Sequence, residues 1–147
     1  MPGNAIPQFT KNGVVGSALA TAANTSSMGT GTIETDIFKV LTAGTDGTFV
    51  EFVRFLAVAT TPTNTTATIG RVFFSSVTSG ATTSANTFLV AEIPLPVSAA
   101  DNAAIALNPV DVAINCRLPA GFALLFTTHA APVANTNWRA TAFGGDY

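Results

Sequence analysis

The chain is poor in charge: 10% of its 147 residues are Asp, Glu, Lys or Arg, where an ordinary soluble domain has about a quarter. Six Lys and Arg stand against eight Asp and Glu, for a net charge of −2. That balance argues against nucleic-acid binding through counterion release. No basic run is present to meet an anionic lipid surface. Cys116 is the single cysteine, which excludes an internal disulfide framework and a cysteine-based metal site and fits synthesis in a cytoplasm. His129 is the single histidine, so any Ser-His-Asp or Cys-His arrangement would have to use it. Its neighbours are Ala, Thr and Pro, which suits a surface loop or a hydrogen-bonded cap. Long apolar runs are missing too. Mean hydropathy is positive, yet no stretch approaches the ~20 apolar residues of a spanning helix. The start, Met1-Pro2-Gly3-Asn4, lacks the basic and apolar regions of a secretion signal.

What is present is apolar and β-prone. Hydrophobic residues make up 48% of the chain, with 11 Phe, and the loops are rich in Thr, Ser, Gly and Asn. Residues 1–16, with isolated Ile6, Phe9, Val14 and Val15, read as an extended N-terminal arm. Residues 17–147 read as one β domain of about eight short strands. Expected strands are Ser17–Ala23, Ile33–Leu41, Thr48–Ala59, Ala67–Ser75, Thr87–Ile93, Ile105–Cys116, Phe122–Thr128 and Trp138–Phe143. In Ile33–Leu41 the alternation places Ile33, Ile37 and Leu41 on one face. Ala43–Gly47, with Asp46-Gly47 between apolar runs, reads as a hairpin turn. Pro94 and Pro96 stop one strand, and Pro109 marks an edge or bulge. Val97–Leu107, the most Ala-rich stretch, has room for one turn or a short helix at most. Turn signals at this spacing argue an all-β sandwich or barrel. Several strands, Thr48–Ala59 above all, are apolar on both faces, and the second face calls for a further partner.

Candidate chemistry is thin. Glu34 and Asp36, two apart on one expected strand face, could hold Ca²⁺ with loop carbonyls; the plainer reading is two solvated edge carboxylates. Asp46 and Asp101 look like turn residues. Asn24-Thr25-Ser26 and Asn64-Thr65-Thr66 are formal glycosylation sequons of a kind a Thr-rich chain produces by chance. Arg54 and Arg71 lie inside the two most aromatic strands, where each either snorkels at an edge or pairs with an acid such as Glu51 or Glu92 across an interface. Trp138 and Arg139 open the last strand; they are contact-forming types, although a single Trp is more often core. Tyr147, behind two glycines, could dock on a neighbour. With Ile6 and Phe9 of the arm, these are the interface candidates. No cofactor, metal or small-molecule substrate is expected, and no enzymatic activity.

The C-terminal block reads Leu118-Pro119-Ala120-Gly121-Phe122, then Thr127-Thr128-His129-Ala130-Ala131, then Asn135-Thr136-Asn137-Trp138, and ends Ala142-Phe143-Gly144-Gly145-Asp146-Tyr147. With the arm, the strand count and the neutral loops, it resembles the small jelly-roll virion proteins of tailed bacteriophages, in particular capsid decoration or cement proteins. That resemblance implies a single jelly-roll-like antiparallel β-sandwich and a homo-oligomer, a trimer or less often a dimer. It also implies binding to the major capsid protein on the outer capsid surface, where the protein holds the shell against internal pressure. A different class of function is a carbohydrate-binding β-sandwich of a phage head or tail fibre, which would need exposed aromatics such as Trp138 and Tyr147 to stack on sugars. An enzyme, for instance a hydrolase, fits the charge count least well.

Overall fold

A computed structural model describes residues 10–100 and 109–147. All regular structure among them is β. Eight longer strands form two four-stranded antiparallel sheets. In chain order the elements are β1 (Asn12–Ala20), β2 (Gly31–Thr32), β3 (Phe38–Thr42), β4 (Thr48–Ala59), β5 (Thr63–Asn64) and β6 (Thr68–Ser75), then β7 (Ala81–Thr82), β8 (Thr87–Leu95), β9 (Ala99–Ala100), β10 (Val110–Leu118), β11 (Ala123–Thr128) and β12 (Thr136–Asp146). The first sheet has the order β1-β12-β4-β10 and the second β3-β11-β6-β8. Counting only the longer strands, the first sheet holds the first, eighth, third and sixth, and the second holds the second, seventh, fourth and fifth. That interleaving is the jelly-roll arrangement of a β-sandwich. Only β6 and β8 are both consecutive longer strands and ladder partners; every other connection crosses between the sheets.

The core follows from strand alternation. On β4, Val53, Phe55 and Ala57 point inward, and on β12 Trp138, Ala140 and Ala142 do the same. They meet Val72, Leu124 and Phe126 of the second sheet. The Phe126 ring contacts Phe38 at 5.9 Å and Phe55 edge-on at 6.1 Å between centroids, geometries that add to area burial.

The second sheet also has a covered outer face. Every residue of β11 is buried. Its outward side chains Ala123 and Leu125, with Phe73 of β6, form a second cluster with Ile33 and Ile37. The cover is the chain's own, residues 21–37 and 76–86 joined by the short β2–β7 ladder. Asn24 pins it: its N–H donates to Thr128 O at 2.9 Å, and its amide donates to Thr30 O and to Asp36 Oδ2, both at 3.1 Å. The doubly apolar strands β6 and β11 therefore need no second subunit.

Three local expectations change. Ala43–Gly47 is a turn but not a hairpin, because β3 lies in the second sheet and β4 in the first. The reversal becomes a corner, closed where Thr48 Oγ1 hydrogen-bonds Asp146 and Gly44 N–H donates to Thr48 Oγ1 at 3.1 Å. The alternation over Ile33–Leu41 holds as a strand only from Phe38. Residues 33–37 form a turn in which Glu34 takes φ 65° and Asp36 Oδ1 accepts Thr32 N–H at 2.6 Å; Ile33 and Ile37 are buried by the turn. Residues 12–16, counted with the arm, belong to β1 and pair with Gly144–Asp146, Phe143 and Ala142 of β12. Residues 1–9, with Ile6 and Phe9, lie outside the described residues, as do residues 101–108, which include Asp101 and most of the stretch with room for a helical turn. Ala99–Ala100 pairs with Thr63–Asn64 as a strand.

Gly144 sits where β12 shifts register against β4, and a Cβ there would overlap the Phe49 carbonyl oxygen. Gly13, on the same strand pair, has no atom within 4 Å of such a Cβ. Gly144→Ala should therefore cost about 1–3 kcal/mol, whereas Gly13→Ala should leave stability within about 0.5 kcal/mol. Urea unfolding of both variants checks the contrast.

Candidate functional site

The interface candidates separate once placed on the sandwich. Trp138 is inward on β12 and 3% exposed, flanked by Ala57 of β4 and Ala20 of β1. It is core and offers nothing to a partner, so the sugar-binding alternative loses its main aromatic. Arg71 is also buried, 5% exposed. It points outward from β6 beneath the chain's own cover. Its Nε donates to Glu92 Oε2 of the neighbouring strand at 2.7 Å. Its Nη1 reaches Thr25 O at 3.5 Å and His129 Nδ1 at 3.3 Å. Arginine only donates, so His129 Nδ1 accepts. Pairing with Glu92 across an interface is one of the two readings the sequence allows for Arg71; the pair forms within one chain and ties the cover to the sheet.

Arg54 is half-buried on the outer face of the first sheet. Its acid is neither Glu51 nor Glu92 but Asp111, opposite it on β10. Two parallel bonds join them, Nε to Oδ1 at 2.8 Å and Nη2 to Oδ2 at 2.7 Å. The hydrogen bond from Arg54, with its charge, holds the Asp111 carboxyl below the usual carboxylate range, and the same bond raises Arg54. The guanidinium also lies over Phe52 and Phe143, at 5.6 and 5.9 Å from their centroids. These two rings stack across β4 and β12 at 4.7 Å. Val15 of β1, directly opposite Phe143, is 66% exposed. Composition shows that Phe is abundant but not that two of them stack on the outside.

Arg139 is outward and exposed on β12, between Leu19 of β1 and Leu56 of β4. It borders two open grooves. One, of about 510 Å³, also touches Leu19, Glu34, Phe38 and Lys39. The other, of about 220 Å³, touches Leu19, Val58, Asn135 and Asn137. Tyr147 does not reach outward: Arg117 stacks over its ring at 4.7 Å, and its N–H donates to Gly47 O at 3.2 Å. It fastens the chain end to the β3–β4 corner.

Sequence reasoning missed one feature, the exposed run Phe88, Leu89 and Val90 on β8 (51, 45 and 36%). β8 is the outermost strand of the second sheet, and it shifts register against β6 between Phe73 and Val72, leaving Val90 as the extra residue. The signal was three consecutive large apolar residues, which alternation cannot bury together.

The polar candidates are taken up by local structure. Asp36 anchors the 33–37 turn, and Glu34 does not share a strand face with it. Asn24 is buried and fully engaged, which removes the first sequon as a glycan acceptor; Asn64 is exposed on β5. Among the described residues no three of His, Cys, Asp and Glu come together around a common point. Comparison with protein-family models, characterised proteins and solved structures finds no match to the chain.

Two outcomes test this electrostatic picture. Glu92→Ala strands a buried guanidinium, and the expected loss is about 3 kcal/mol, read by chemical unfolding. The Asp111 contribution is present above the ordinary Asp pKa of about 3.9 and is lost as pH falls through its lower folded-state value. Asp111→Asn should abolish that acid-side slope, seen as a flatter pH dependence of Tm below pH 4.

Proposed function

We propose that the chain is a structural protein of a virion, a decoration protein that coats the outer surface of a capsid lattice, binds it and copies of itself, and carries no enzymatic activity. The observation that carries this reading is the Phe88-Leu89-Val90 run on β8. The chain covers the second apolar face of β6 and β11 with its own loops, yet leaves these three side chains in water. A large exposed apolar run on a single chain marks a protein contact. The bulge at Val90 matters to its kind. Bulges stop a ladder from extending and re-aim side chains, so β8 offers a patch of side chains more than a free backbone edge. Such a patch suits docking onto a folded shell.

The weak charge supports the same reading. Copies packed at high density on a shell suffer little mutual repulsion at a net charge of −2. Many modest contacts then hold the coat through multivalency. The resemblance of the C-terminal block to phage decoration proteins points the same way.

Shells lacking this protein provide the test. The wild-type chain should co-sediment with them saturably. Leu89→Lys with Val90→Lys should lower apparent affinity at least about tenfold while thermal unfolding stays cooperative. A chain that never sediments with such shells, or binds equally well with both lysines in place, would sink the assignment.

A further inference from the structure

The outer face of the first sheet is the surface that the described residues leave uncovered. Strands β4, β10 and β12 carry six charged residues, Glu51, Arg54, Asp111, Arg117, Arg139 and Asp146. Arg117 lies over the Tyr147 ring and donates to Asp46 O, and Asp146 accepts the Thr48 hydroxyl at the corner between the sheets. Arg54 and Asp111 neutralise each other. Glu51 and Arg139 have no ionic partner among the described residues. Arg139 lies at one end of the face, opposite Leu56 of β4. Glu51 lies toward the other end, at the irregularity where Val50 pairs with Gly144 and Phe52 with Phe143; it is exposed. Five residues of strand separate Leu56 from Glu51, so the two charges stand roughly 15 Å apart. Between them lie the Phe52–Phe143 stack and exposed Val15.

We propose that this face is the contact between two copies of the chain, packed face to face about a twofold axis that runs across the strands. The proposal rests on the reading that the chain assembles with itself, and it names the surface and the symmetry. The argument is charge complementarity. A twofold axis in the plane of the contact reverses strand direction, so Arg139 of one copy falls over Glu51 of the other. The same operation places Glu51 over Arg139, giving two equivalent ion pairs, as an isologous contact requires. The stacked rings and Val15, one strand residue from the level of Glu51, then lie beside each ion pair, where their apolar contact shields it from water. The two Arg54 groups come near the axis, but each is held in a two-toothed pair with its own Asp111 and lies flat on aromatic rings, an arrangement that tolerates close approach. A foreign partner would need to supply a matching acid and base at this spacing, whereas a second copy supplies both. Glu34 shares the wider groove with Arg139 and makes no ion pair with it, which leaves the guanidinium to the other copy.

The state expected in solution is a dimer, where the family resemblance favours a trimer. Sedimentation equilibrium of the full chain over a range of concentrations should give a twofold mass. Arg139→Glu and Glu51→Arg each create two like-charge contacts per dimer and should weaken dimerisation at least about tenfold. The double exchange restores both pairs in reversed sense and should return the dissociation constant to within a few fold of wild type. Both positions are exposed, so folding is preserved, and circular dichroism with thermal unfolding checks this. A monomer at all concentrations, a trimer indifferent to the exchanges, or a double variant no better than the singles would overturn the proposal. Self-association is read on the purified chain and shell binding by co-sedimentation, so the failure of one is seen apart from the other.

Discussion

The first sheet depends on one strand. β12 pairs with β4 on one side and, among the described residues, is the only ladder partner of β1 on the other. Its inward side chains, Trp138, Ala140 and Ala142, are wholly in the core. Toward its end, Gly144 allows the backbone to close on Phe49, and Asp146 accepts the Thr48 hydroxyl at the corner between the sheets. The final residues are therefore a structural centre. A tail rich in glycine reads as loose from composition, yet two of those glycines stand in a ladder near the end of β12, where an added Cβ would overlap Phe49 or Thr10. β1 and β12 are the first and last of the described strands, so this sheet is joined through contacts of long sequence separation, and loop closure must precede their reward.

Strand positions were legible because alternation and turn residues are local signals. Thr48–Ala59 and the 122–128 region match the structure to within a residue. The interleaved order of the strands was not legible from any residue; it enters with the jelly-roll resemblance. Two of the three local readings that changed did so for different reasons, one distant and one local. Asp46-Gly47 specifies a reversal, but whether the next strand pairs with the last or crosses to the other sheet depends on which distant ladder is available to β4, and β10 and β12 occupy both of its sides. Ile33 and Ile37 look like one face of a strand, but the Asp36 carboxylate bonds the Thr32 N–H and draws the segment into a turn. A short polar side chain that competes for backbone donors outweighs alternation at a strand entrance.

The candidate site was legible in residue type and not in partner. Charges inside aromatic strands were expected to set pairing between subunits, and most set pairing within the chain. Arg71 reaches Glu92, and Arg54 reaches Asp111, because each acid is the directly opposite residue on the next strand. Register decides this, and register is a property of two distant segments at once. Trp138 was placed by the same rule: its neighbours Arg139 and Asn137 point out, so it points in.

Sparse charge changes the weight that each remaining charge carries. In a domain with the usual quarter of charged residues, an unpaired surface Arg or Glu is ordinary and carries little information. Here the strand charges are few, and Arg54, Arg71, Glu92 and Asp111 are consumed by pairs within the chain. Asp36 of the 33–37 turn and Asp146 at the end of β12 are consumed by backbone, amide and hydroxyl donors. On the open sheet Arg139 and Glu51 are left without an ionic partner among the described residues, on either side of a half-buried aromatic stack. Two opposite charges left over at separate ends of the same apolar face cannot satisfy each other, but they satisfy a copy of themselves turned end for end. The economy of charge that gives this chain so little material for chemistry is the same economy that makes its open face self-complementary.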